Sequence, residues 1–573
     1  MGASAALARV PSHTPKAAYH TGLDRLFRPS IRCIIRAGAS LPMTAAASNK
    51  RNYNLALPFY EDSVMNPESL ALFVGGQQFS YGELGNLAKR ISRWLGQKTG
   101  DVSGRVGILA SRTLEAYAGV LGILWAGEAY VPITPNTPED RVIRILQQTQ
   151  LDALIVDQAG LDLLSERVLE CAPRRILYGA NARPSQSALE FKGVEFKSFA
   201  ELADEGPDQP ATVAGDALAY IIFTSGTTGT PKGVMIENES VAQFIGIMHQ
   251  RFDLCADDRI AEASELTFDA SVFDMFMAWS SGASLFAVPK EQLMAPAKFI
   301  RDHELTLWFS VPSTASFMAR MKMLTPGAFP SLRISIFAGE SLATPTAQAW
   351  QIAAPNSIVE NFYGPTELTV DCIAQRLEDP PTVTPNRGTL AIGTPFPDIQ
   401  AGIVDADLNF LPRGEEGELV VSTRQAARGY FQDPELTSAR FPTLEGNRWY
   451  RTGDLAYEDH SGIFHHLGRI DNQVKILGNR VELEEVEAHL REILGTDMVA
   501  AVAWPLADHR ATGVVAFHCA PGVSREAVRE EMKKRVPDYM IPKRVHLLDS
   551  LPLGATGKID RKALTRMLDE SLV

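Results

Sequence analysis

The chain has few cysteines and no long hydrophobic segment. Its longest run of apolar residues and glycine, near Tyr117–Gly127, is too short to span a bilayer. No C-x-x-C pair occurs, so the sequence predicts neither a disulfide framework nor a zinc site. We therefore expect a cytoplasmic protein without a membrane partner. The five cysteines are Cys33, Cys171, Cys255, Cys372 and Cys519.

The chain also has no excess of positive charge. The chain has 55 Lys and Arg against 68 Asp and Glu, for a formal net charge of −13. This balance argues against nucleic acid as a partner. Hydrophobic residues make up 45% of the chain and charged residues 21%, which is typical of a globular protein. At 573 residues the chain is too long for one compact core, so two or more domains are expected.

Residues 1–48 differ from the rest of the chain. They contain six basic residues and one acid, Asp24. Acid-poor leaders with several arginines can be organelle-targeting peptides. No amphipathic period is clear in this segment, so we favour a disordered extension, or a start of translation at Met43, over a targeting peptide.

Strands and helices alternate along most of the sequence. Leu84, Leu87, Ile91 and Leu95 have helical spacing, Val106–Ala110 is typical of a buried strand, and Tyr117–Trp125 of a helix. Such alternation predicts a largely parallel sheet with helices on its faces. After residue 482 the pattern is helix, two strands, helix and strand, which indicates a small α+β unit. The predicted fold class is thus α/β, with mixed and parallel sheets.

A loop rich in Thr, Ser and Gly joins two predicted strands, Tyr220–Phe223 and Val234–Ile236. Its glycines would let backbone N–H groups approach an anion, and its hydroxyls and Lys232 would add donors and a charge. A polyphosphate suits this loop. It is not a Walker A loop, because the order of Gly and Lys differs and a strand follows it.

Four other motifs place polar residues on loops or at strand ends. Phe268-Asp269-Ala270-Ser271 has an acid in an apolar segment, where it could bind a cation or cap the helix that follows. The others are Asn361-Phe362-Tyr363-Gly364-Pro365-Thr366-Glu367, Thr452-Gly453-Asp454, and a lysine, Lys558, on a glycine-containing loop. We interpret His465 and His466 as ordinary strand-end residues.

Taken together and in this order, these motifs resemble those of the adenylate-forming superfamily, which includes acyl-CoA synthetases, luciferases and peptide synthetases. The resemblance covers roughly residues 50–570 and is closest to stand-alone adenylation domains of nonribosomal peptide synthetases. It implies a large domain at 49–470, a small mobile domain at 471–573, and an active site between them. One departure is Leu477, where the family motif usually has an arginine.

The resemblance implies a role for each motif residue in binding ATP. Tyr363 would stack on adenine, Asp454 would accept the ribose hydroxyls, and Glu367 would hold Mg²⁺. Lys558, Glu367 and Thr228 would be catalytic, and Asp471 would be the hinge. The residues implied to bind ATP are Thr224, Ser225, Gly226, Thr227, Thr228, Gly229, Lys232, Asn361, Tyr363, Gly364, Thr366, Asp454, Arg469 and Lys558.

A second set of residues is implied to bind the substrate. In the peptide-synthetase branch the aspartate at the position of Asp269 pairs with the ammonium group of an amino acid, whereas acyl-CoA synthetases and luciferases do not need it. Asp371 could pair with a polar or basic side chain, or could be an ordinary loop aspartate. The implied substrate-binding residues are Asp269, Ala270, Phe273, Ser310, Ile336, Ala338, Phe362, Val370 and Asp371.

The implied function is ATP-dependent activation of an amino acid as aminoacyl-AMP, with release of pyrophosphate. Transfer to the phosphopantetheine thiol of a carrier protein would follow, in nonribosomal peptide or related biosynthesis. The chain ends soon after Lys558, so we expect this carrier protein to act in trans. Two alternatives are an acyl- or aryl-CoA synthetase and a non-catalytic ATP-binding relative.

Overall fold

The amphipathic pattern that begins at Leu84 forms one helix, Tyr81–Gly96, in the computed structural model. This structure describes residues 51–97, 103–225, 231–471, 473–507, 510–520, 523–552 and 559–570. The Ser80 hydroxyl accepts from the Glu83 N–H while the Glu83 carboxylate accepts from the Ser80 N–H, so a capping box starts the helix. Its apolar face is buried and includes Ile91 and Leu95.

The predicted phosphate loop joins two strands of an eight-stranded sheet. Leu218–Thr224 and Lys232–Glu237 pair antiparallel, as the two predicted strands require. Five of the pairings in the rest of the sheet are parallel, and helices connect most of these strands. In spatial order the strands are Gly429–Tyr430, Lys232–Glu237, Leu218–Thr224, Ala129–Ile133, Arg105–Leu109, Ala153–Val156, Arg175–Tyr178 and Glu195–Ser198.

A second sheet has nine strands and is parallel at its centre. The antiparallel strands lie at its two ends. In spatial order the strands are Thr394–Pro395, Ile373–Arg376, Ile358–Tyr363, Ile334–Phe337, Leu307–Ser310, Arg259–Glu262, Ser284–Ala287, Leu70–Val74 and Gln77–Ser80. The central strands are buried along their whole length, as is usual for parallel sheets covered on both faces.

One hydrophobic core connects the two large sheets. It contains Ile108 and Ile222 from the eight-stranded sheet, Leu285 and Ile336 from the nine-stranded sheet, and residues of five α-helices, Trp279 among them. Separate cores cover the other side of each sheet. The fixed relation between the two sheets lets the ends of their strands form one site.

Smaller sheets follow along the chain. A four-stranded antiparallel sheet contains Gln400–Val404, Gly417–Ser422, Tyr450–Glu458 and Phe464–Arg469. Gln473–Ile476 and Asn479–Glu482 then form an antiparallel hairpin, which we call the 473–482 hairpin. Both residues of its turn, Leu477 and Gly478, have positive φ (49° and 82°), as a two-residue hairpin turn requires. The hairpin pairs with Arg510–Ala511, which pairs with Leu506–Ala507. Two further two-stranded sheets pair Val383–Thr384 with Thr389–Leu390 and Thr443–Leu444 with Asn447–Arg448.

The predicted α+β unit is present after the hairpin. The helix Leu483–Leu494 is followed by a three-stranded sheet of Val499–Ala503, Val514–His518 and Arg544–Leu547. The other described helices of four or more residues are Leu57–Met65, Leu114–Trp125, Glu139–Thr149, Gln158–Asp162, Glu166–Cys171, Gln186–Leu189, Asn238–Arg251, Ala270–Ser281, Ala297–Asp302, Pro312–Arg320, Thr344–Ala353, Pro434–Arg440, Arg525–Lys533 and Arg561–Glu570.

The predicted α/β class with mixed and parallel sheets is confirmed. The division at residue 470 into a large and a mobile small domain stays a prediction. Residues 1–48 lie outside the described part of the chain. Among the described helices, none combines the length and the apolar character that crossing a bilayer demands.

Gly122 lets the helices Tyr81–Gly96 and Leu114–Trp125 approach closely. A Cβ at this position would lie 2.5 Å from Ile91 Cγ2 and 2.6 Å from Ile91 Cβ. We expect Gly122→Ala to lower the free energy of unfolding by about 1–3 kcal/mol, because the packed core must shift. Gly246→Ala is the matched control, since Gly246 is also helical and a Cβ there meets nothing within 4 Å. Urea unfolding should show no loss of stability for Gly246→Ala. Equal losses for the two variants would contradict the packing argument.

Candidate active site

A cavity of about 620 Å³ lies where strands of both large sheets end. Each contributing strand ends at a loop that lines it: Thr224 and Ser225, Ser310 and Val311, Ala338 to Ser341, and Tyr363 to Thr366. In open α/β sheets, ligands bind at the carboxyl ends of parallel strands. The 473–482 hairpin and Tyr539 complete the wall from the C-terminal part of the chain.

Asp454 is the centre of one polar network in the cavity wall. Its carboxylate accepts from the Tyr363 hydroxyl at 2.5 Å and from Arg469 Nη1 at 3.2 Å, and His466 Nε2 lies 3.1 Å away. Burial alone would raise the pKa of Asp454, but the contact with His466 and the charge of Arg469 hold it below the ordinary value. Asp454 is therefore ionised at neutral pH, as an acceptor for hydroxyl groups should be.

Glu367 is the centre of a second network. Its side chain is 1% exposed, and both carboxylate oxygens lie 3.0 Å from Arg480 Nη1. The Tyr430 hydroxyl donates a third bond at 2.7 Å. Burial alone would raise the pKa of Glu367, but the Arg480 charge and these bonds lower it to about 2.

This arrangement does not fit a magnesium ion on Glu367. A hard cation needs a free carboxylate oxygen and several oxygen ligands, whereas both oxygens of Glu367 already face the Arg480 guanidinium. No group of three or more His, Cys, Asp or Glu with metal-binding geometry occurs among the residues that the structure describes. A metal on Glu367 would require Arg480 to move.

Asp269 projects towards the same cavity from the start of the helix Ala270–Ser281. Its side chain makes no capping hydrogen bond to that helix, so the capping alternative is not supported. Its Oδ2 is buried without a hydrogen-bond partner. Burial raises the pKa of Asp269 to about 6, although a hydrogen bond with Thr366 opposes the shift. A buried carboxylate without a cation is costly, so this position suits a cationic ligand.

Asp371 presents a second carboxylate without a partner. It is 1% exposed, lines the cavity, and its Oδ2 has no hydrogen bond. Burial and the nearby charge of Asp269 raise its pKa well above the ordinary value. This shift favours the protonated form of Asp371, whereas a bound donor or cation would favour its ionised form.

A strained turn fixes the direction of Asp371. Thr369 and Val370 have φ of 56° and 70°, values that non-glycine residues seldom adopt. Gln425 is fully buried, and its side-chain amide donates to the carbonyls of Leu368 and Asp371, both at 2.8 Å. Gly364 is required beneath this turn, because a Cβ there would lie 2.3 Å from the Asp371 Cα.

The structure brings most of the predicted site residues to this one cavity. The following line it: Thr224, Ser225, Asp269, Ala270, Ser310, Ala338, Asn361, Phe362, Tyr363, Gly364, Thr366, Val370, Asp371, Asp454 and Arg469. Gly226, Thr227, Thr228, Gly229 and Lys558 lie outside the described residues. Asn361 donates to the Ala391 carbonyl at 2.8 Å and keeps a buried Oδ1 without a partner.

Two predicted substrate-binding residues lie behind the wall instead. Phe273 and Ile336 are fully buried in the core that joins the large sheets. Phe309, which lines the cavity, is a neighbour of both: its ring packs edge-on against Phe273 at 5.3 Å, and it pairs in register with Ile336. Neither Phe273 nor Ile336 lines the cavity, so their role in substrate binding stays a prediction.

Three other predicted residues are near the cavity but do not line it. Lys232 lies 3.8 Å from Glu482, and Glu367 is covered by Arg480. Asp471, the predicted hinge, accepts two bonds from Arg469, at 2.9 and 2.6 Å. It is thus held to the wall of the cavity.

Sequence reasoning missed three side chains that line the cavity. His466, interpreted as an ordinary strand-end residue, lies within reach of Asp454. Lys475 projects from the 473–482 hairpin and lines the cavity. Arg480 meets Glu367 from the same hairpin. Only the pairing of distant strands brings these residues together, so no local motif marks them.

Charged side chains of both signs line the cavity. Arg469, Lys475 and Arg480 provide cations, and Asp269 and Asp371 provide carboxylates. Apolar residues, among them Phe309, Phe362 and Val370, line the same cavity. A ligand with an anionic part and a cationic part matches this distribution.

Gln425 supports the turn that carries Asp371, so its loss should be costly. Gln425→Leu would leave two buried carbonyls without donors, and we expect the free energy of unfolding to fall by about 2–4 kcal/mol. Gln351→Leu is the control, because Gln351 also donates to two carbonyls but is half-exposed, so water can replace it. Urea unfolding of both variants measures this. If Gln351→Leu lost as much stability as Gln425→Leu, burial of the carbonyls could not be the cause of the loss.

Known proteins share this sequence and architecture. The model of the AMP-binding enzyme family matches residues 59–431. Tyrocidine synthase 1 of Brevibacillus parabrevis is 33% identical over 517 residues, covering 88% of this chain and 44% of the relative. The chain thus spans less than half the length of that relative.

Two solved structures bear on the fold. The Vibrio cholerae adenylation domain AlmE, in complex with glycyl-adenosine-5'-phosphate, is 31% identical with a TM-score of 0.81, covering 92% of this chain and 100% of that one. The o-succinylbenzoate CoA synthetase of Bacillus subtilis is 20% identical with a TM-score of 0.73, covering 90% and 98%, and supports the fold alone. From the family match and the AlmE likeness, the chain belongs to the AMP-binding enzyme family of adenylate-forming ligases.

Proposed function

We propose that this protein activates an amino acid as aminoacyl-AMP and releases pyrophosphate. The buried Oδ2 of Asp269, which has no hydrogen-bond partner, carries this proposal, because a substrate acid without an amine would offer this oxygen no cation. The similarity to AlmE, whose structure holds glycyl-adenosine-5'-phosphate, also supports this proposal.

The proposed nucleotide position follows the Asp454 network. Asp454 is ionised and would accept hydrogen bonds from the ribose hydroxyls. The ribose would then displace the Tyr363 hydroxyl or His466 from Asp454. Tyr363 and His466, with ring centroids 6.1 Å apart, would border the adenine. Thr224 and Ser225, at the end of one strand, would face the phosphates.

The proposed chemistry needs no protein nucleophile. The substrate carboxylate attacks the α-phosphorus of ATP, a new C–O–P linkage forms, and the bond to pyrophosphate breaks. The protein's task is then to position two anions and offset their charge. Lys475 and Arg469 are among the described cations that line the cavity. Lys558, the lysine implied by the resemblance, lies outside the described residues.

We further propose that the phosphopantetheine thiol of a carrier protein is the acceptor. This rests on the resemblance to peptide-synthetase adenylation domains and on tyrocidine synthase 1, of which this chain matches only part. Transfer breaks the mixed anhydride, forms a thioester and releases AMP. Comparing a phosphopantetheinylated carrier protein with coenzyme A as acceptor would distinguish a carrier-dependent enzyme from a CoA ligase.

Isotope exchange between pyrophosphate and ATP tests the first step. We expect exchange with one or a few amino acids and none with fatty or aryl acids of similar size. Asp269→Asn should reduce kcat/KM for the amino acid by roughly tenfold to a hundredfold, since a charged hydrogen bond contributes about 1.5–3 kcal/mol. Exchange that requires an aryl or fatty acid would favour the CoA synthetase alternative, and ATP binding without any exchange would favour the non-catalytic one.

Asp371 suggests the class of amino acid. Its carboxyl group lies near that of Asp269, and Gln425 holds the backbone of the turn that carries it. The substrate's ammonium group can satisfy Asp269, so Asp371 needs a donor on the side chain. We therefore propose a substrate whose side chain carries a hydroxyl, amide or basic group.

Asp371→Ala should shift selectivity towards apolar amino acids. The preference, taken as the ratio of kcat/KM values for the polar substrate and an apolar one of similar size, should fall by roughly tenfold or more because one buried hydrogen bond is lost. The exchange panel measures both values. Unchanged selectivity in a folded Asp371→Ala protein would remove Asp371 from the substrate pocket. Ser310→Ala, at another point of the cavity wall, is the control for a general change of shape.

A further inference from the structure

Arg112 joins the two large sheets at the cavity. It follows the strand Arg105–Leu109 of the eight-stranded sheet, and its side chain is 8% exposed. Its Nη1 donates to the carbonyls of Glu262 and Val288 at 3.0 and 2.9 Å, and its Nη2 donates to that of Ala263 at 2.8 Å. All three acceptors end or directly follow strands of the nine-stranded sheet. One guanidinium thus ties together the carboxyl ends of strands from both sheets.

The backbone of Arg112 is strained. Its φ is 54°, in the left-handed region that residues other than glycine seldom adopt. Such strain persists only where the surrounding structure compensates for it, and it often occurs at active sites. Here the side chain makes the three carbonyl contacts and faces Glu265, to which the neighbouring Ser111 hydroxyl also donates. The turn at Arg112 and its contacts with the nine-stranded sheet thus depend on one another.

A short chain of contacts leads from Arg112 to Asp269. Arg112 Nε lies 3.5 Å from Glu265 Oε1, and the Glu265 carbonyl accepts from the Phe268 N–H at 2.8 Å. The Phe268 carbonyl in turn accepts from the Ser271 N–H at 3.1 Å and from its hydroxyl at 2.7 Å. Asp269 lies between Phe268 and Ser271, so this chain of contacts holds the backbone that carries its carboxylate.

The position of the Asp269 carboxylate depends on this backbone. Its Oδ2 has no hydrogen-bond partner, and its side chain makes no capping bond to the helix that follows. Misplacement of a group in an active site by about 1 Å can lower the rate roughly a hundredfold. A residue that holds the backbone of Asp269 can therefore influence binding of a cation without touching it.

We propose that Arg112 is a positioning residue: it holds the segment 262–271 so that Asp269 meets the ammonium group of the bound amino acid. Arg112 does not bind that group itself, because its charge has the same sign and its donors already serve three carbonyls. The proposal rests on the role of Asp269 in the proposed function, and it adds a residue from the other large sheet to the substrate site.

Kinetics of Arg112→Met test this role. We expect KM for the amino acid to rise roughly tenfold, because a misplaced carboxylate binds the ammonium group poorly, whereas KM for ATP should change less than about twofold. In an Asp269→Asn background the same substitution should raise the amino-acid KM less than about twofold, because the contact that Arg112 supports is already lost. An equal rise of KM for ATP, or full additivity with Asp269→Asn, would overturn the proposal.

Arg90→Met is the matched control. Arg90 also donates to three backbone carbonyls, and its Nη2 lies 3.7 Å from an acid, Asp204. The carbonyls are those of Phe199, Leu202 and Ala203. Arg90 is not among the residues that line the cavity. An equal rise of the amino-acid KM in Arg90→Met would overturn the proposal, because loss of any such arginine would then suffice.

Arg112→Lys provides a second variant if Arg112→Met does not fold. An ammonium group keeps the charge but lacks the planar fork that reaches three carbonyls. Without any ligand, the Phe268 and Ser271 N–H groups should exchange hydrogen faster than in the wild-type protein, and the amino-acid KM should rise less than in Arg112→Met. Unchanged exchange, or an unchanged KM in folded Arg112→Lys, would overturn the proposal.

Failure of the proposed function would be recognised separately. It would appear in the wild-type protein, as a lack of pyrophosphate exchange with every amino acid. Failure of the role of Arg112 would appear only in the variants, and their hydrogen exchange is measured without substrate.

Discussion

The cost of burying a carboxylate governs the whole site. A buried acid must find a cation or hydrogen-bond donors, or else it becomes protonated. Asp454 and Glu367 find partners within the chain, and burial does not prevent their ionisation. Asp269 and Asp371 have partnerless oxygens, and burial raises the pKa of each. The first two are structurally satisfied, whereas the second two depend on a ligand.

Strand geometry explains why these four acids meet. Asp269, Glu367 and Asp371 follow strands of the nine-stranded sheet, and their loops share the edge to which the parallel strands point. Asp454 reaches the same edge from the antiparallel sheet that contains Tyr450–Glu458. The large core between the two main sheets fixes these distances, so the site depends on packing far from it.

Much of this could be predicted from the sequence. Hydrophobic periodicity indicated the alternating strands and helices, because burial on a sheet or helix face repeats along the chain. The motif residues Tyr363, Asp454 and Asp269 line one cavity, and the α+β unit is present. Local patterns suffice where a residue's surroundings are close to it in sequence.

Long-range contacts set the limit of that prediction. Arg480 is 113 residues from Glu367, and its role depends on how the hairpin docks. His466 meets Asp454 only through the register of two strands. Phe273 and Ile336 were expected in the cavity, but they lie in the core beside Phe309, which lines it. Likewise, the lack of a partner for Asp371 becomes visible only after every neighbouring donor is placed.

Leu477 illustrates how one departure from a family pattern can fit this scheme. The residue lies at the hairpin's turn with a positive φ and contributes an apolar side chain to the cavity wall. Had the usual arginine stood here, its charge would have entered a wall that already contains Lys475 and Arg480 on the same hairpin. With leucine, the hairpin's cationic contact with Glu367 comes from Arg480. Both carboxylate oxygens of Glu367 therefore face that one guanidinium.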